Sequence, residues 1–344
     1  MTKQLRWGIL GTARIAEKVA AAIHAAPNAS LDVIASRNLD RANGWATAHN
    51  VPRAVGTYEK VLQDPEIDAV YIPLPPSMHA EWTIASAQAG KHVLCEKPLA
   101  GNANEAATMV RTCEEHDVQF MDGVMWLHHP RESDMRSVLQ NGELGQLTHI
   151  ASAFTFRWPE VPENDFRIKR EFGGGCLLDL GWYCVGVALW AFGDMPESVF
   201  GSARLRNDVD MHFNGLMHFS GGRTASLNCG FDTVMRRWVE IAGTEKSLVC
   251  DDFTKPWKED KPRFWIHQPD GSADERVSNA LNQETCMVQA FSEAVLSGAR
   301  RRDWHERAVR TQRIGAALDH SARTGQVVQL SDFDAWQSDA PAEI

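Results

Sequence analysis

Three residues of this chain have the types and the spacing to move a proton at a carbinol: Lys97, Asp179 and Tyr183. Lys97 closes the run Lys91-His92-Val93-Leu94-Cys95-Glu96-Lys97-Pro98, whose apolar stretch stops abruptly at Glu96-Lys97-Pro98. A small-residue helix from Trp82 to Gly90 precedes it, so the run reads as a strand after a helix in an α/β sheet. Lys97 then falls at the carboxyl edge of a parallel sheet, where such folds hold their ligands. Pro98 has no N–H for the ladder and biases Lys97 toward extended backbone, so the strand must end there. An ammonium at such a crevice, dehydrated or set beside another cation, becomes a usable proton donor or acceptor. Asp179 and Tyr183 lie four apart in Cys176 to Phe192, which reads as a helix, and they share one face. Gly173-Gly174-Gly175 just before it is expected to let the backbone approach a ligand and to expose the helix N-terminus. A carboxylate, a phenol and an ammonium around one carbinol make a proton relay, while hydride leaves the same carbon for a nicotinamide. Lys97 would favour ionisation of Tyr183, and Asp179 would orient the substrate hydroxyl or the lysine. Whether Lys97 or Tyr183 carries the proton stays open.

A hydride acceptor is implied near the N-terminus. Leu5 to Leu10 is a short apolar strand, and Gly11-Thr12-Ala13-Arg14-Ile15-Ala16 opens an amphipathic helix with Ile15, Val19 and Ile23 on one face. The pattern G-x-A-x-x-A is a softened glycine fingerprint for a pyrophosphate at a helix N-terminus. Gly11, Thr12, Ala13, Arg14 and Ile15 are the expected phosphate-binding residues, and Ala16 permits close helix–strand packing. The next strand, Leu31 to Ser36, ends Ser36-Arg37-Asn38. An NAD-selective site usually places a carboxylate here for the ribose 2′-hydroxyl. This chain places Arg37 instead, with Arg41 a turn later, and a guanidinium can hold a 2′-phosphate bidentately. NADP is therefore expected over NAD; the alternative leaves the ribose to Asp40.

Four segments together resemble the glucose-fructose oxidoreductase / inositol dehydrogenase superfamily of NAD(P)-dependent enzymes. They are Gly11 to Ala16, Pro73-Leu74-Pro75-Pro76-Ser77-Met78-His79, Glu96-Lys97-Pro98, and Gly173 to Tyr183. The resemblance implies that Lys97 is catalytic and that Asp179 and Tyr183 face the nicotinamide. It also implies cofactor contacts from Leu74, Pro75, His79 and Glu96. Proline stands at Pro75 and Pro76 where the family commonly has asparagine. Many relatives carry histidine at the position of Tyr183; tyrosine is similar to the dihydrodiol dehydrogenase and aldose dehydrogenase branch. In that branch the match to Trp126 lines the substrate pocket. The resemblance also makes the open face of the second sheet a natural dimer surface.

These residues need particular elements to hold them. Strands at Leu5–Leu10, Leu31–Ser36, Ala69–Pro73, His92–Cys95 and Gln119–Asp122 alternate with helices, as a doubly wound parallel sheet requires. Beyond a helix at Pro130 to Gln140, strands follow in near succession: Leu147–Trp158, Val199–Arg206, Phe213–Phe219, Thr224–Phe231 and Trp238–Gly243. Ile150, Phe154, Phe156 and Trp158 alternate onto one face. The fold class is α/β: a Rossmann domain over 1–123, then an α+β domain over 124–334. The second domain is expected to hold a large, mostly antiparallel open sheet, followed by a tail at 335–344. Asp251 to Pro262 reads as a solvated loop. Trp82, Trp190 and Trp238 read as core.

Composition narrows the function. At 344 residues the chain suggests two domains, and 44% hydrophobic with 23% charged residues is ordinary for a globular protein. A net charge of −10 argues against nucleic acid or an anionic membrane as partner. Seven cysteines without C-x-x-C spacing suggest reduced thiols in a cytoplasm. No apolar run is expected to reach transmembrane length, and no signal segment is read. Adjacent His128 and His129 point apart on a strand and lack further ligands, so no metal is expected. Arg157, Asn164 and Arg167 lie on the approach to the glycine run and are candidates for substrate or ribose contact. The expectation is an NADP-dependent oxidoreductase of a secondary alcohol on a sugar, cyclic polyol or trans-dihydrodiol. A homodimer or higher even oligomer is expected. The rivals are a non-catalytic nucleotide-sensing regulator, which needs no proton relay, and a redox-neutral NAD-dependent glycosidase.

Overall fold

The computed structural model describes residues 3–159, 161–163 and 165–333. Asn164 and the expected tail at 335–344 lie outside them. The first sheet comprises β1 (Leu5–Leu10), β2 (Ala29–Ala35), β3 (Arg53–Val55), β4 (Ala69–Ile72), β5 (His92–Cys95) and β6 (Phe120–Asp122). All are parallel, in the order β3-β2-β1-β4-β5-β6. Helices α1 (Arg14–Ala25), α2 (Leu39–Ala48), α3 (Glu59–Leu62), α4 (His79–Gln88) and α5 (Ala103–Glu115) connect them. The central strands are mostly buried because both faces of such a sheet are covered; β4 is buried at every residue, whereas the edge strand β3 is not. The order reverses between β1 and β4, which opens a crevice at the carboxyl ends of the strands.

The second sheet has nine strands: β7 (Leu147–Arg157), β8 (Ser198–Arg206), β9 (Val209–His218), β10 (Thr224–Gly230), β11 (Asp232–Gly243), β12 (Ser247–Cys250), β13 (Arg263–His267), β14 (Ala273–Val277) and β15 (Val328–Gln329). Their order is β14-β13-β12-β11-β7-β10-β9-β8-β15, antiparallel except for the parallel pair β7–β10. Helix α6 (Pro130–Gln140) precedes this sheet, and α7 (Trp182–Phe192) lies across β7, β10 and β11. Two further helices, α8 (Gln283–Ser297) and α9 (Arg302–Thr324), follow.

The chain forms two compact units, and their bounds are not a single cut. The first takes the chain through Gly101, Glu105–His128 and also Asn282–Val309; the second takes Asn102–Asn104, His129–Leu281 and the chain from Arg310. Segment Asn282–Val309 joins the first unit because α8 completes its core. Phe291 packs on Trp7 with ring centroids 5.1 Å apart, and Trp7 Nε1–H donates to Ser292 Oγ at 3.3 Å. A boundary placed at residue 123 alone misses this return.

Three expectations need correcting. The span Arg170–Phe192 is long and apolar enough to cross a membrane, but 78% of its apolar window is buried inside the protein, as a core helix is. The stretch Asp251 to Pro262 is not simply solvated. Its Asp252 is 3% exposed and accepts from Arg131 at 2.5 Å, while Phe253 is fully buried. Trp82 and Trp190 are each 9% exposed, but Trp238 on β11 is only half-buried.

Candidate active site

In the first unit the site residues gather at the carboxyl ends of β1, β2, β4 and β5. Gly11 sits at φ +114°, and its N–H donates to Ala35 O at 2.9 Å, tying the tip of β1 to β2. Its backbone angle favours glycine, and a Cβ there would also push the movable end of the Leu74 side chain, 2.8 Å away. Thr12, Ala13 and Ile15 are partly exposed and Arg14 is exposed; α1 begins at Arg14 with Ala13 as an N-cap that makes no side-chain bond. The first N–H groups of α1 therefore have no capping side chain, which suits an anion.

At the tip of β2, Ser36 is buried and its hydroxyl accepts from Asn38 N–H at 3.3 Å. Arg37 is exposed, and Arg41 donates to Thr12 O at 3.3 Å, linking α2 to the Gly11 turn. Tyr58, which no motif marks, is 5% exposed and packs edge-on against Trp82 at 4.8 Å. Burial raises its phenol pKa, and the nearby Arg37 and Arg41 partly offset that rise. Two guanidinium groups without a carboxylate at residues 36–38 fit a 2′-phosphorylated dinucleotide. When bound, such a cofactor supplies the hydride exchange.

The ends of β4 and β5 hold Lys97. Its peptide with Pro98 is cis, and its side chain is half-buried. Its backbone N–H donates to Glu96 Oε2 at 3.3 Å, and the buried Tyr71 hydroxyl donates to Glu96 Oε1 at 2.7 Å. Burial pushes the Glu96 carboxyl up, while the Tyr71 hydrogen bond and Lys97 pull it back. The Glu96 side chain thus points inward to Tyr71. His79 is 1% exposed, with Nδ1 2.9 Å from Pro98 O and Nε2 2.7 Å from Leu74 O. It lies between the two loops; burial lowers its pKa, and the neutral ring donates to one of these two carbonyls. Leu74 and Pro75 are half-exposed beside it. Trp126, expected to line a pocket, is 2% exposed and offers a ligand almost no surface.

In the second unit a π-helical turn, Leu177–Gly181, leads directly into α7. Asp179 lies in that turn and is 8% exposed; Tyr183 lies in the first turn of α7 and is half-buried. The Tyr183 ring meets Phe154 of β7 edge-on at 5.4 Å. Arg167 sits in a short 3-10 turn, Phe166–Ile168, and donates from Nε to Asp179 Oδ2 at 2.9 Å. Its Nη1 also reaches Asp165 Oδ1 at 3.3 Å, and its guanidinium lies 4.5 Å from the Phe166 ring centroid. Burial works against the Arg167 charge, but Asp179 and Asp165 outweigh it and raise its pKa. Asp179 is thus an ion-paired carboxylate, suited to orienting a hydroxyl rather than shuttling a proton.

Two sequence readings change here. Gly174 does not approach a ligand; a Cβ there would lie 2.6 to 2.7 Å from the carbonyl oxygens of Phe166, Arg167 and Lys169. The glycine run lets the Arg167 turn close onto the start of the helix. Arg157 is exposed and does not join this cluster. Successive strand residues point to opposite faces, so Arg157 faces away from Phe156 and from Phe154, which packs on Tyr183. His128 is half-buried and meets Trp304 edge-on at 5.7 Å, and the buried His129 caps α6 by accepting from Arg131 N–H at 3.0 Å. Among the described residues no three potential metal ligands cluster.

A parallel sheet of this order, opened by a glycine turn and an uncapped helix, is the architecture of a dinucleotide-binding domain. Comparison with known proteins gives the class its name. The oxidoreductase family with an NAD-binding Rossmann fold matches residues 5–124, and the GFO/IDH/MocA C-terminal domain matches residues 133–249. A D-xylose 1-dehydrogenase (NADP(+)) of Haloferax volcanii is 33% identical over 338 residues, covering 95% of this chain and all of that protein. A trans-1,2-dihydrobenzene-1,2-diol dehydrogenase of Xenopus tropicalis is 32% identical, covering 70% of this chain and 73% of its own. A 3-ketoreductase from Actinomadura kijaniata, solved with NADP and TDP-benzene, superposes with a TM-score of 0.85 at 32% identity. That match covers 94% of this chain and 98% of the other. The chain belongs to the GFO/IDH/MocA oxidoreductase family and is a dehydrogenase or reductase.

Proposed function

We propose that this protein transfers hydride between NADP and a secondary alcohol or carbonyl of a sugar, cyclic polyol or trans-dihydrodiol. The observation that carries the reading is the Asp179–Arg167 pair beside Tyr183. It sets a hydroxyl-orienting carboxylate one helical turn from a phenol, next to an aromatic surface. Such a surface suits the C–H face of a neutral ring. Lys97 and Tyr183 serve proton transfer in this reading; Asp179 and Arg167 hold the substrate hydroxyl. Gly11 to Ile15 hold the pyrophosphate, and Arg37 with Arg41 holds the 2′-phosphate. The D-xylose and dihydrodiol activities named for the relatives support the substrate class.

The test follows absorbance of the reduced nicotinamide with NADP and NAD across aldoses, inositols and trans-dihydrodiols, in both directions. Turnover with one class and preference for NADP support the reading. Arg37→Ala should weaken NADPH binding by roughly 10- to 100-fold, the value of a charge-assisted contact, and spare NADH. Equal affinity of the unaltered protein for both cofactors overturns the NADP assignment, and hydrolysis without net redox change overturns the reaction. The same reading makes the protein a cytoplasmic homodimer or higher even oligomer, in keeping with seven free cysteines. Phe200, Leu205, Val234 and Met235 on β8 and β11 are exposed apolar side chains for that contact. A single-chain mass by light scattering at micromolar concentration would refute it.

A further inference from the structure

Asp210 belongs to no motif in the sequence, yet it is 6% exposed on β9. Its Oδ2 accepts from Leu177 N–H at 2.6 Å and from the Cys176 thiol at 3.1 Å. Leu177 is the first residue of the π-helical turn that carries Asp179. The fit is close: Gly175 sits at φ +120°, and a Cβ on it would overlap Asp210 Oδ1. Nearby lie the Cys229 thiol, 3.9 Å from that of Cys176, and Asp319 of α9, which is paired with Arg323 at 2.8 Å. No cation is bonded to the Asp210 carboxylate among the described residues, and burial pushes it up to about 6.

We propose that Asp210 is a positioning residue: it fixes the backbone of the Leu177–Gly181 turn and thereby where Asp179 and Tyr183 present their side chains. The inference rests on the reading of Asp179 and Tyr183 given above. The first N–H groups of a helix have no acceptor within it, and an ionised acceptor holds them more firmly than a neutral one. A neutral acceptor would satisfy Leu177 without dehydrating a charge. The carboxylate instead takes two donors at once and locks Cys176 and Leu177 against β9. Arg167 holds the Asp179 side chain, and Asp210 holds the backbone two residues before it. Asp179 is therefore fixed at two points.

The experiment compares wild type, Asp210→Asn and Asp210→Ala by hydrogen–deuterium exchange of the 176–183 segment and by kcat and KM from pH 5 to 8.5. D-xylose, myo-inositol and trans-dihydrobenzenediol serve as probes with NADP. Asp210→Ala should speed exchange at 177–181 by at least about 10-fold and lower kcat by roughly 10- to 100-fold, the usual result of misplacing a reacting group. Its NADPH affinity should stay within about 2-fold, since the phosphate-binding turn is elsewhere in the chain. Asp210→Asn keeps one acceptor for Leu177. As the isostere of the protonated acid, it should keep at every pH the exchange and kcat that wild type has at pH 5, below the protection and kcat of wild type at pH 7.5, and should lack the acid limb expected of wild type near pH 6. Unchanged exchange in Asp210→Ala overturns the proposal, as does lost protection with unchanged kcat and pH profile. If Asp210→Ala does not fold, a wild-type acid limb retained by Asp210→Asn overturns it. Wild-type turnover by Tyr183→Phe would instead sink the catalytic reading and leave the exchange result standing. Failure of all three probes to turn over would do the same.

Discussion

Lys97 leaves β5 with its N–H on a carboxylate that is itself buried and held by the Tyr71 hydroxyl. Lys97→Met keeps the side-chain length and removes the ammonium, so turnover should fall roughly 10²- to 10⁴-fold, the usual worth of general acid–base catalysis. NADPH affinity, followed by fluorescence titration, should hardly move; full turnover would reduce Glu96-Lys97-Pro98 to a turn. Asp210 offers a second test, on stability. Its carboxyl lies at about 6 in the folded chain against a usual 3.8. A raised acid binds its proton more tightly when folded, so its favourable contribution is full below pH 3.8 and is lost as pH rises through 6. The difference is worth ~3 kcal/mol. The melting temperature of Asp210→Asn relative to wild type should therefore climb between pH 4.5 and 7, and a constant offset would refute the assignment. Positions with a local signature were legible: the tight turn at Gly11, the strand end before Lys97 and the exposed tip of β2 at Arg37. Tyr58, Tyr71 and Asp210 were not, because their partners are distant in sequence. Glu96 lies 25 residues from Tyr71, and Leu177 lies 33 from Asp210. With 3 tyrosines in the whole chain, all of them fall at candidate site positions, a scarcity that could have flagged Tyr58 and Tyr71.

Among the elements, long apolar runs declared themselves, while short or irregular pieces did not. β1 and β5 follow their apolar runs from end to end. β3 has three residues, too few for any periodicity to register. The π-helical turn before α7 was hidden because its apolar spacing resembles that of an α-helix; only its backbone hydrogen bonding distinguishes it. The Gly173-Gly174-Gly175 run announced close approach correctly but not what approached. The loop after β12 was misread because its charges suggested solvent, whereas Arg131 and Asp252 bury each other with side chains 3% and 4% exposed. Removing one partner of such a pair strands the other in the interior. Asp252→Ala should thus cost about 3–5 kcal/mol in urea unfolding, far above the ~0–1 kcal/mol of a surface pair. A loss in the surface range would show that water reaches Arg131 once Asp252 is gone.

At the scale of the whole molecule, the alternation of apolar runs and helices announces a parallel sheet and a second, mostly antiparallel one with β7 to β11, but not the short strands β12 to β15 at its ends. Nor does it announce the return of α8 to the first unit, because nothing local tells a helix which distant core it completes. That return makes a prediction. A fragment ending at residue 128 should lack cooperative thermal unfolding, since Trp7 loses Phe291 and Ser292. The same fragment joined to residues 282–309 by a flexible linker should regain it, as judged by circular dichroism. Equal melting of both fragments would show α8 to be dispensable. The discontinuity also fixes an order of events during synthesis. Ribosomes add roughly 5–20 residues per second, so the nucleotide-binding half, begun first, waits many seconds for its last helix to emerge. All strands of the second sheet but β15 are made in the interval. A chain broken off between α1 and residue 283 would therefore carry the complete Gly11 turn yet lack the helix that closes the core behind it. Such incomplete products should be open to proteases, and nucleotide should protect only finished chains.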